Sequence, residues 1–299
     1  MIKRKAYAKI NLALDVTSRR DDGYHEVRMI MQTVDLYDTL TFEAFAPEAG
    51  EEQIRITTDS GELSNGPDNL IYRAARAILD HAGASEGVSI HLEKRIPIAA
   101  GMAGGSTDAA ATFHGINELL GLGYTTQQLC EMGVKIGADV PYCILGGTAL
   151  AEGIGEILTG LPEAPKLPLV IAKPEAGMAT VSVYRDLDRI AGWDGEEPAT
   201  GVGLDHPDVD GMLEAIRRGD ADGMVRRLGN VLEEVTIPRL PIVGKIKDEL
   251  AAAGASGVLM SGSGPTVFAV FDTAEQAEQA AGYLRKTNLA KDIFVSSII

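Results

Sequence analysis

The sequence predicts an α+β protein of two domains. Its 299 residues exceed the size of one typical domain, and 45% of them are hydrophobic, which excludes a disordered chain. Segments that alternate between apolar and polar residues are interleaved with segments of helical spacing. A proline-rich stretch at residues 161–168 is the best candidate linker, because each proline removes a donor and favours extended backbone. We therefore predict an N-terminal domain over residues 1–160 and a C-terminal domain over residues 161–299.

Alternating segments dominate the first part of the chain. Over residues 6–16, Lys9, Asn11 and Asp15 fall on one side and the apolar residues on the other, as in a half-buried strand. A polar loop over residues 18–26 follows. Further strands are predicted at residues 36–45, 53–57, 88–92, 148–158 (two strands about a glycine turn), 167–172 and 257–271 (again two strands), with a last strand at the C-terminus.

Helical segments show apolar spacing together with start and stop residues. The pattern over residues 69–81 begins at Asp68 or Asn69, either of which can cap a helix, and Gly83 ends it. Further helices are predicted at residues 107–120, 126–136, 180–191, 208–218, 220–233, 242–253 and 273–286. The acidic stretch at residues 194–210 is interpreted as a solvated surface loop.

Charge and cysteine content narrow the classes of partner. With 27 Lys and Arg against 43 Asp and Glu, the net charge of −16 argues against a nucleic acid polymer as partner. A small anionic ligand stays possible, because a local lysine or a helix N-terminus can bind it. Two cysteines without metal-ligand spacing, and no apolar stretch of about 18 residues, favour a cytoplasmic protein without a membrane partner. The oligomeric state is not indicated.

The most informative stretch is PIAAGMAGGSTDAA, residues 97–110, where three glycines lead into a helix. Glycines let backbone N–H groups converge on an anion, and a helix N-terminus adds unpaired donors. The loop has neither the Gly-Lys-Ser/Thr of a Walker A motif nor a dinucleotide fingerprint. Phosphate binding and a plain capped loop are both compatible with it. A second glycine motif, at residues 260–269, indicates either a hairpin turn or a close approach to a ligand.

Three polar positions are candidates for chemistry. Lys9 and Asn11 lie two residues apart on one strand face, which indicates either a site or an exposed polar edge. Asp139 lies among small and apolar residues, and its carboxylate either caps a turn or accepts a hydroxyl proton beside a cation such as Lys9.

Tyr24 and His25, in the polar loop, could stack on and hydrogen-bond to a base. His25 and Glu26 resemble the start of a zinc helix, but Met29 stands where the second histidine is required, so this interpretation fails. The remaining histidines are scattered and predict no metal cluster, and metal ligands stay unknown.

Taken together, these segments resemble the GHMP superfamily of small-molecule kinases. The resemblance rests on AKINLALDV, DGYHE, PDNLIYRAA, KRIPIAAGMAGGSTDAA, IGADVPY, AEGIGEIL and SGSGPTVFA, in the superfamily's order from residue 6 to about 270. DGYH and GADVP are most similar to the branch that uses ATP to phosphorylate the 2-hydroxyl of a diphosphocytidyl-methylerythritol in the non-mevalonate isoprenoid route. The resemblance implies a two-domain GHMP kinase fold with its active site in the interdomain cleft.

The resemblance also implies a role for each matching residue. Asp139 would be the general base and Lys9 its charged neighbour. The substrate pocket would contain Asn11, Tyr24, His25 and Tyr184, with the cytosine recognised at Tyr24 and His25 and covered by Tyr184. ATP, delivered with Mg²⁺, would contact Asn69 near the adenine and, along the glycine loop, Pro97, Gly101, Ala103, Gly104, Gly105, Ser106 and Thr107.

One departure from the superfamily concerns the loop path. Ala103 stands where a glycine is frequent, and an alanine predicts that φ at this residue is not positive. Two other functions stay open. One is a GHMP kinase for another alcohol of the mevalonate or homoserine type, against which the aromatic residues and His25 argue. The other is a nucleotide-binding regulator without catalysis, against which the presence of both Lys9 and Asp139 argues.

Overall fold

The computed structural model describes residues 1–195 and 204–299, which contain eleven strands and ten helices. The strands are β1 (Ile2–Arg19), β2 (His25–Phe45), β3 (Ile54–Thr58), β4 (Gly87–Glu93), β5 (Thr148–Glu152), β6 (Ile157–Gly160), β7 (Pro168–Lys173), β8 (Gly229–Asn230), β9 (Gly257–Met260), β10 (Val267–Val270) and β11 (Asp292–Ser297). The helices are α1 (Leu70–Ala82), α2 (Gly104–Leu119), α3 (Thr126–Gly133), α4 (Val140–Leu145), α5 (Thr180–Ala191), α6 (Val209–Arg218), α7 (Ala221–Val225), α8 (Glu233–Arg239), α9 (Ile242–Ala252) and α10 (Ala274–Arg285). Strand and helix content confirm the predicted α+β class. Residues 196–203 of the predicted acidic loop lie outside the described residues.

The chain forms two compact units that are discontinuous in sequence. The first comprises Met1–Ala8, Leu36–Ile98 and Ala103–Gly146, and the second Lys9–Asp35, Ala99–Met102 and Gly147–Ile299. This division differs from a single boundary after residue 160, because β1 and β2 are longer than predicted and each has residues in both units.

The first unit packs helices on a small mixed sheet. Residues 39–45 of β2 pair antiparallel with β4, and β3 pairs parallel with β4. Helix α1 begins and ends as predicted: the Asn69 side chain accepts from the Ile71 N–H at 2.8 Å, and Gly83 ends the helix in the left-handed conformation. Phe42 of the sheet and Phe113 of α2 are both fully buried in the core of this unit.

The second unit contains a four-stranded antiparallel sheet in the order β11-β7-β10-β9. In the same unit, residues 29–32 of β2 pair with β5. β5 in turn pairs with β6, which confirms the two strands about a glycine turn predicted for residues 148–158. β2 begins at residue 25, eleven residues before the predicted start. Residues 29–34 are all buried, so this part of the strand shows no alternation.

The helix predicted over residues 220–233 is wrong. Here α7 ends at Val225, and β8 pairs parallel with β1 through Ala13 and Gly229. The Asn230 side chain donates to the carbonyls of Met260 and Gly262, each at 2.8 Å, and these bonds hold the backbone out of a helix. Helix α8 follows and contains a proline, Pro238.

No helix in the described part of the chain is long and apolar enough to cross a membrane.

Close packing of α2 on the sheet predicts the effect of one added methyl group. A Cβ at Gly115 would lie 2.5 Å from the ring of Phe42, a side chain with 0% exposure. We expect Gly115→Ala to lower the free energy of unfolding by about 1–3 kcal/mol, because the ring has no room to move. Urea unfolding measures the change.

Gly282→Ala in α10 is the matched control, since a Cβ there meets nothing within 4 Å. We expect that variant to be as stable as the wild type or more stable by about 0.5–1 kcal/mol. Equal effects of the two substitutions would contradict the prediction.

Candidate functional site

Residues 99–102 of the first glycine motif lie beside the second glycine motif in the second unit. Gly101 has a φ of +71°, and a Cβ there would lie 2.4 Å from the carbonyl oxygen of Ser261 and 3.2 Å from that of Gly264. The Ser261 hydroxyl donates to the Gly101 carbonyl at 3.0 Å. Only glycine fits this position, for reasons of both conformation and space. The close approach predicted for residues 260–269 is therefore a contact with the backbone of Gly101.

Helix α2 begins at Gly104, three residues earlier than predicted, and its first turn has no side-chain cap. Ala103 occupies the N-cap position in the left-handed conformation with φ of +55°, so the expectation that alanine excludes positive φ is wrong. The first amides of an α-helix have no partner within the helix. In the described part of the chain the amides of Gly104, Gly105 and Ser106 have no acceptor and can bind an anion, and no side chain caps this helix start as the capped-loop alternative requires.

Other residues of the predicted nucleotide site use their side chains within the fold. The Thr107 hydroxyl donates to the Tyr7 carbonyl at 2.5 Å. Asn69 caps α1 and also donates to the Ser64 carbonyl at 2.6 Å. Pro97 is half-buried. Contacts of these residues with a ligand would come mainly from backbone or surface atoms.

A buried lysine lies beneath the start of α2. The Lys94 ammonium contacts the carboxylate of Asp38 and lies 2.8 Å from that of Asp108, and all three side chains are at most 8% exposed. A Cβ at Gly104 would lie 3.1 Å from the Lys94 Nζ. The cluster therefore ties the first turns of α2 to β2 and to the segment that follows β4.

One ammonium faces two buried carboxyl groups, and a second buried negative charge is costly. Asp38 accepts the backbone N–H groups of Arg95 and Ile96, whereas Asp108 Oδ1 has no partner among the described residues. Burial raises the pKa of Asp108 well above its ordinary value, against the attraction of Lys94. Burial lowers the pKa of Lys94, but the two carboxyls outweigh it and the net pKa is raised.

Lys9 and Asn11 are buried, so the interpretation of an exposed polar edge is wrong. Their exposures are 5% and 0%, and the Lys9 ammonium donates to Asn11 Oδ1 at 2.7 Å. The Asn11 amide nitrogen lies 3.2 Å from the Met29 sulfur. Among the described residues Lys9 has no carboxylate partner within salt-bridge distance. The second unit therefore holds a buried cation with unused donors.

Asp139 stands at the N-cap position of α4 but does not cap it. Its backbone has φ of −77° and ψ of −15°, and its side chain makes no capping hydrogen bond. The residue is half-buried, and in the described part of the chain its carboxylate has no hydrogen-bond or ion-pair partner. The capping alternative is thus not supported, and the carboxylate oxygens are available as proton acceptors.

His25 and Tyr184 lie in contact in the second unit, with ring centroids 4.8 Å apart. The His25 Nε2 lies 2.6 Å from Asp188 Oδ1, and Trp193 lies 6.2 Å from the histidine ring. Tyr24 is 59% exposed. Asp188 and Trp193 were not predicted; the helical spacing of Tyr184 and Asp188, four residues apart, could have indicated a shared face.

No group of three or more His, Cys, Asp and Glu side chains suited to a metal ion occurs in the described ranges. A magnesium ion that arrives with nucleotide phosphates takes most of its ligands from phosphate and water and needs only one or two carboxylates. The available oxygen donors are therefore compatible with Mg²⁺ delivered in this way.

Comparisons with known proteins identify the family of this chain. The family model "GHMP kinases N terminal domain" matches residues 69–147 and the model "GHMP kinases C terminal" matches residues 212–289. A curated protein of Lachnoclostridium phytofermentans, named 4-diphosphocytidyl-2-C-methyl-D-erythritol kinase, is 49% identical over 94% of this chain and 91% of its own. One of the same name from Caldicellulosiruptor saccharolyticus is 45% identical over 99% of this chain and 94% of its own.

The chain belongs to the GHMP kinase family. A solved structure titled 4-(cytidine 5'-diphospho)-2C-methyl-D-erythritol kinase aligns with a TM-score of 0.79 and 33% identity, covering 99% of each chain. The predicted family and fold class are confirmed. The protein is accordingly a kinase, which uses ATP.

The left-handed conformation of Ala103 before α2 predicts that substitution by glycine stabilises the protein. An L-residue in this conformation costs about 1–2 kcal/mol, and glycine avoids the cost. We expect Ala103→Gly to raise the free energy of unfolding by about 1 kcal/mol in urea unfolding. Ala251→Gly, at an exposed site of α9, is the control and should lower it by roughly 0.5–1 kcal/mol. Destabilisation by both substitutions would refute the assigned strain.

The raised pKa of Asp108 predicts a pH dependence of stability. Because its folded pKa is raised, the native state binds more protons than the unfolded state above about pH 4, and stability falls as pH rises. Asp108→Asn replaces the carboxyl by a group that does not titrate. We expect the wild type to lose stability with pH more steeply than Asp108→Asn, by up to about 1.4 kcal/mol per pH unit.

Urea unfolding at several pH values measures this difference. Asp222→Asn, at an exposed position of α7, should keep the slope of the wild type. Parallel curves for the wild type and Asp108→Asn would show that Asp108 is ionised in the native protein.

Proposed function

We propose that the protein transfers the γ-phosphoryl group of ATP to the 2-hydroxyl of 4-diphosphocytidyl-2-C-methyl-D-erythritol, giving the 2-phosphate and ADP in non-mevalonate isoprenoid biosynthesis. The observation that carries the kinase chemistry is the uncapped start of α2, where free amides follow a left-handed residue. The substrate is inferred from relatives that bear this name at 45–49% identity over nearly the full chain.

The start of α2 is the proposed phosphate site. Free N–H groups and the positive end of the helix dipole attract a polyanion locally, although the whole chain carries a net charge of −16. We assign nucleotide contacts to Pro97, Gly101, Ala103, Gly104, Gly105, Ser106 and Thr107, and to Asn69 near the adenine. For most of them the proposed contact is made by the backbone, since the side chains are absent or engaged.

Asp139 is the proposed general base. As the substrate oxygen attacks the γ-phosphorus, its proton moves to the Asp139 carboxylate and the bond from phosphorus to the ADP oxygen breaks. The carboxylate suits this role because its oxygens have no partner among the described residues. Lys9 is the proposed cation beside the acceptor hydroxyl. Its ammonium has three N–H donors, and the hydrogen bond to the Asn11 side chain uses only one of them.

Tyr24, His25 and Tyr184 are the proposed residues of the cytosine site, and Asn11 is proposed to contact the substrate. Contact between His25 and Tyr184 supports a flat aromatic ligand, since these side chains offer π faces and one polar ring nitrogen. A small aliphatic acid such as mevalonate or homoserine has no evident use for this pair.

Mg²⁺ is the proposed metal, bound with the nucleotide, and it would neutralise charge on the transferred phosphoryl group. We further propose a cytoplasmic location and a domain boundary at residue 160, which lies between the two segments matched by the family models. Proposed partners are the two small-molecule substrates, without a nucleic acid polymer or a membrane.

The proposal is tested by coupled ADP release with three alcohols (the diphosphocytidyl substrate, mevalonate and homoserine) and with water alone. We expect rapid turnover with the first only. Turnover of another alcohol at an equal kcat/KM would favour the alternative kinase. Nucleotide binding without ADP release from any alcohol would favour the regulator without catalysis.

Asp139→Asn tests the general base. Because the carboxamide cannot take the proton, we expect kcat to fall by roughly 10²-fold or more while the Kd for ATP changes little. Turnover kinetics and calorimetry measure the two quantities. Asp222→Asn should match the wild type in both, and a near-normal kcat for Asp139→Asn would remove Asp139 from the mechanism.

A further inference from the structure

Asp188 lies one helical turn after Tyr184 on α5 and is 6% exposed. It is a buried acid beside the proposed cytosine site that the proposed chemistry does not use. Its carboxylate contacts two cationic or polar groups of the same unit: His25 on Oδ1 at 2.6 Å and Arg19 on Oδ2 at 3.6 Å. The inference that follows rests on the proposed function.

The hydrogen bond between His25 and Asp188 decides which ring nitrogen carries the proton. An ionised carboxylate only accepts hydrogen bonds, so Nε2 of His25 must be the donor. In a neutral imidazole the other nitrogen then has a lone pair and accepts. Nδ1 of His25 has no hydrogen-bond partner among the described residues, so this lone pair is available to a ligand.

Arg19 supplies charge for the same carboxylate. The Nε of its guanidinium lies 3.6 Å from Asp188 Oδ2, the oxygen that does not contact His25. The negative charge of Asp188 therefore has a permanent positive neighbour. Asp188 thus has an ionic partner that does not depend on the imidazole.

The surrounding rings restrict the orientation of the imidazole. Tyr184 and Trp193 lie 4.8 Å and 6.2 Å from its centroid, and the His25 side chain is 9% exposed. A ring flip would exchange the two nitrogens, but it would break the bond to Asp188 inside a packed environment. The acceptor nitrogen is thereby held in a fixed direction.

Cytosine and uracil differ at the position that such an acceptor reads. The 4-amino group of cytosine donates hydrogen bonds, whereas uracil carries a carbonyl oxygen there, which accepts. We propose that Asp188 is a positioning residue that holds His25 in its Nε2–H form, so that Nδ1 accepts from the 4-amino group of cytosine and rejects uracil. A site built around such a bond discriminates strongly, because the wrong base leaves two acceptors facing each other.

Asp188→Asn tests the inference through base discrimination. The carboxamide can turn its NH₂ group toward Nε2, which leaves the proton on Nδ1 and suits the uracil carbonyl. The measurement is kcat/KM for the diphosphocytidyl substrate and for its diphosphouridyl analogue at pH 8. We expect the wild type to prefer cytosine by about 10⁴-fold. Asp188→Asn should lower this ratio at least about tenfold, with slower turnover of cytosine and faster turnover of uracil.

A merely structural role would lower both rates equally and leave the ratio unchanged, which would overturn the inference. Asp186→Asn is the matched control, because Asp186 lies on the same helix and pairs with Arg189 and Arg239 instead. We expect its ratio of the two rates to equal that of the wild type. A loss of discrimination in this control as well would assign the effect to the helix and not to Asp188.

A second measurement depends neither on activity nor on whether Asp188→Asn folds. In wild-type protein labelled with ¹⁵N-histidine, the two-bond proton-nitrogen spectrum distinguishes the tautomers, and His25→Gln identifies the signal. We expect a proton on Nε2 and none on Nδ1 at pH 8; a proton on Nδ1 would overturn the inference. If the wild type does not phosphorylate the cytidine substrate at all, the proposed function fails, and this spectrum still judges the tautomer.

Discussion

A helix whose first turn lacks a side-chain cap must direct its free amides to some other acceptor, and α2 is such a helix. Its N-cap is an alanine in the left-handed conformation, with glycines in the first two helical positions. Beneath this start, Lys94 links Asp108 of α2 to Asp38 of β2. The proposed phosphate site thus lies above a buried charge cluster that holds the first turns of α2 to β2.

Local sequence predicted the features that depend on local physics. Asn69 and Gly83 delimit α1 because a cap and a left-handed glycine act within one turn. The family motifs likewise indicated Lys9, Asn11, His25 and Asp139, and among the described residues Lys9 keeps unused donors and the Asp139 carboxylate has no partner. The start of α2 was predicted three residues late because glycines have low helix propensity and disguise a first turn.

Features that depend on distant residues could not be predicted. The bond between His25 and Asp188 joins residues 163 positions apart, and neither position shows a pattern that names the other. The same holds for Lys94, which looks like a surface lysine until β2 and α2 surround it. The wrong prediction of a non-positive φ at Ala103 has a different cause. The preference of alanine for negative φ corresponds to a modest free energy, and the tertiary packing of the loop outweighs it.

The contact between Gly101 and Ser261 also limits when the glycine loop can reach its native conformation during translation. The two residues are 160 positions apart, and the ribosome adds roughly 5–20 residues per second, so Gly101 is synthesised long before its neighbour. Throughout that interval the loop lacks the backbone against which Gly101 packs. A nascent chain, or a fragment terminated before residue 261, therefore carries the complete glycine-loop sequence without the contacts that shape it.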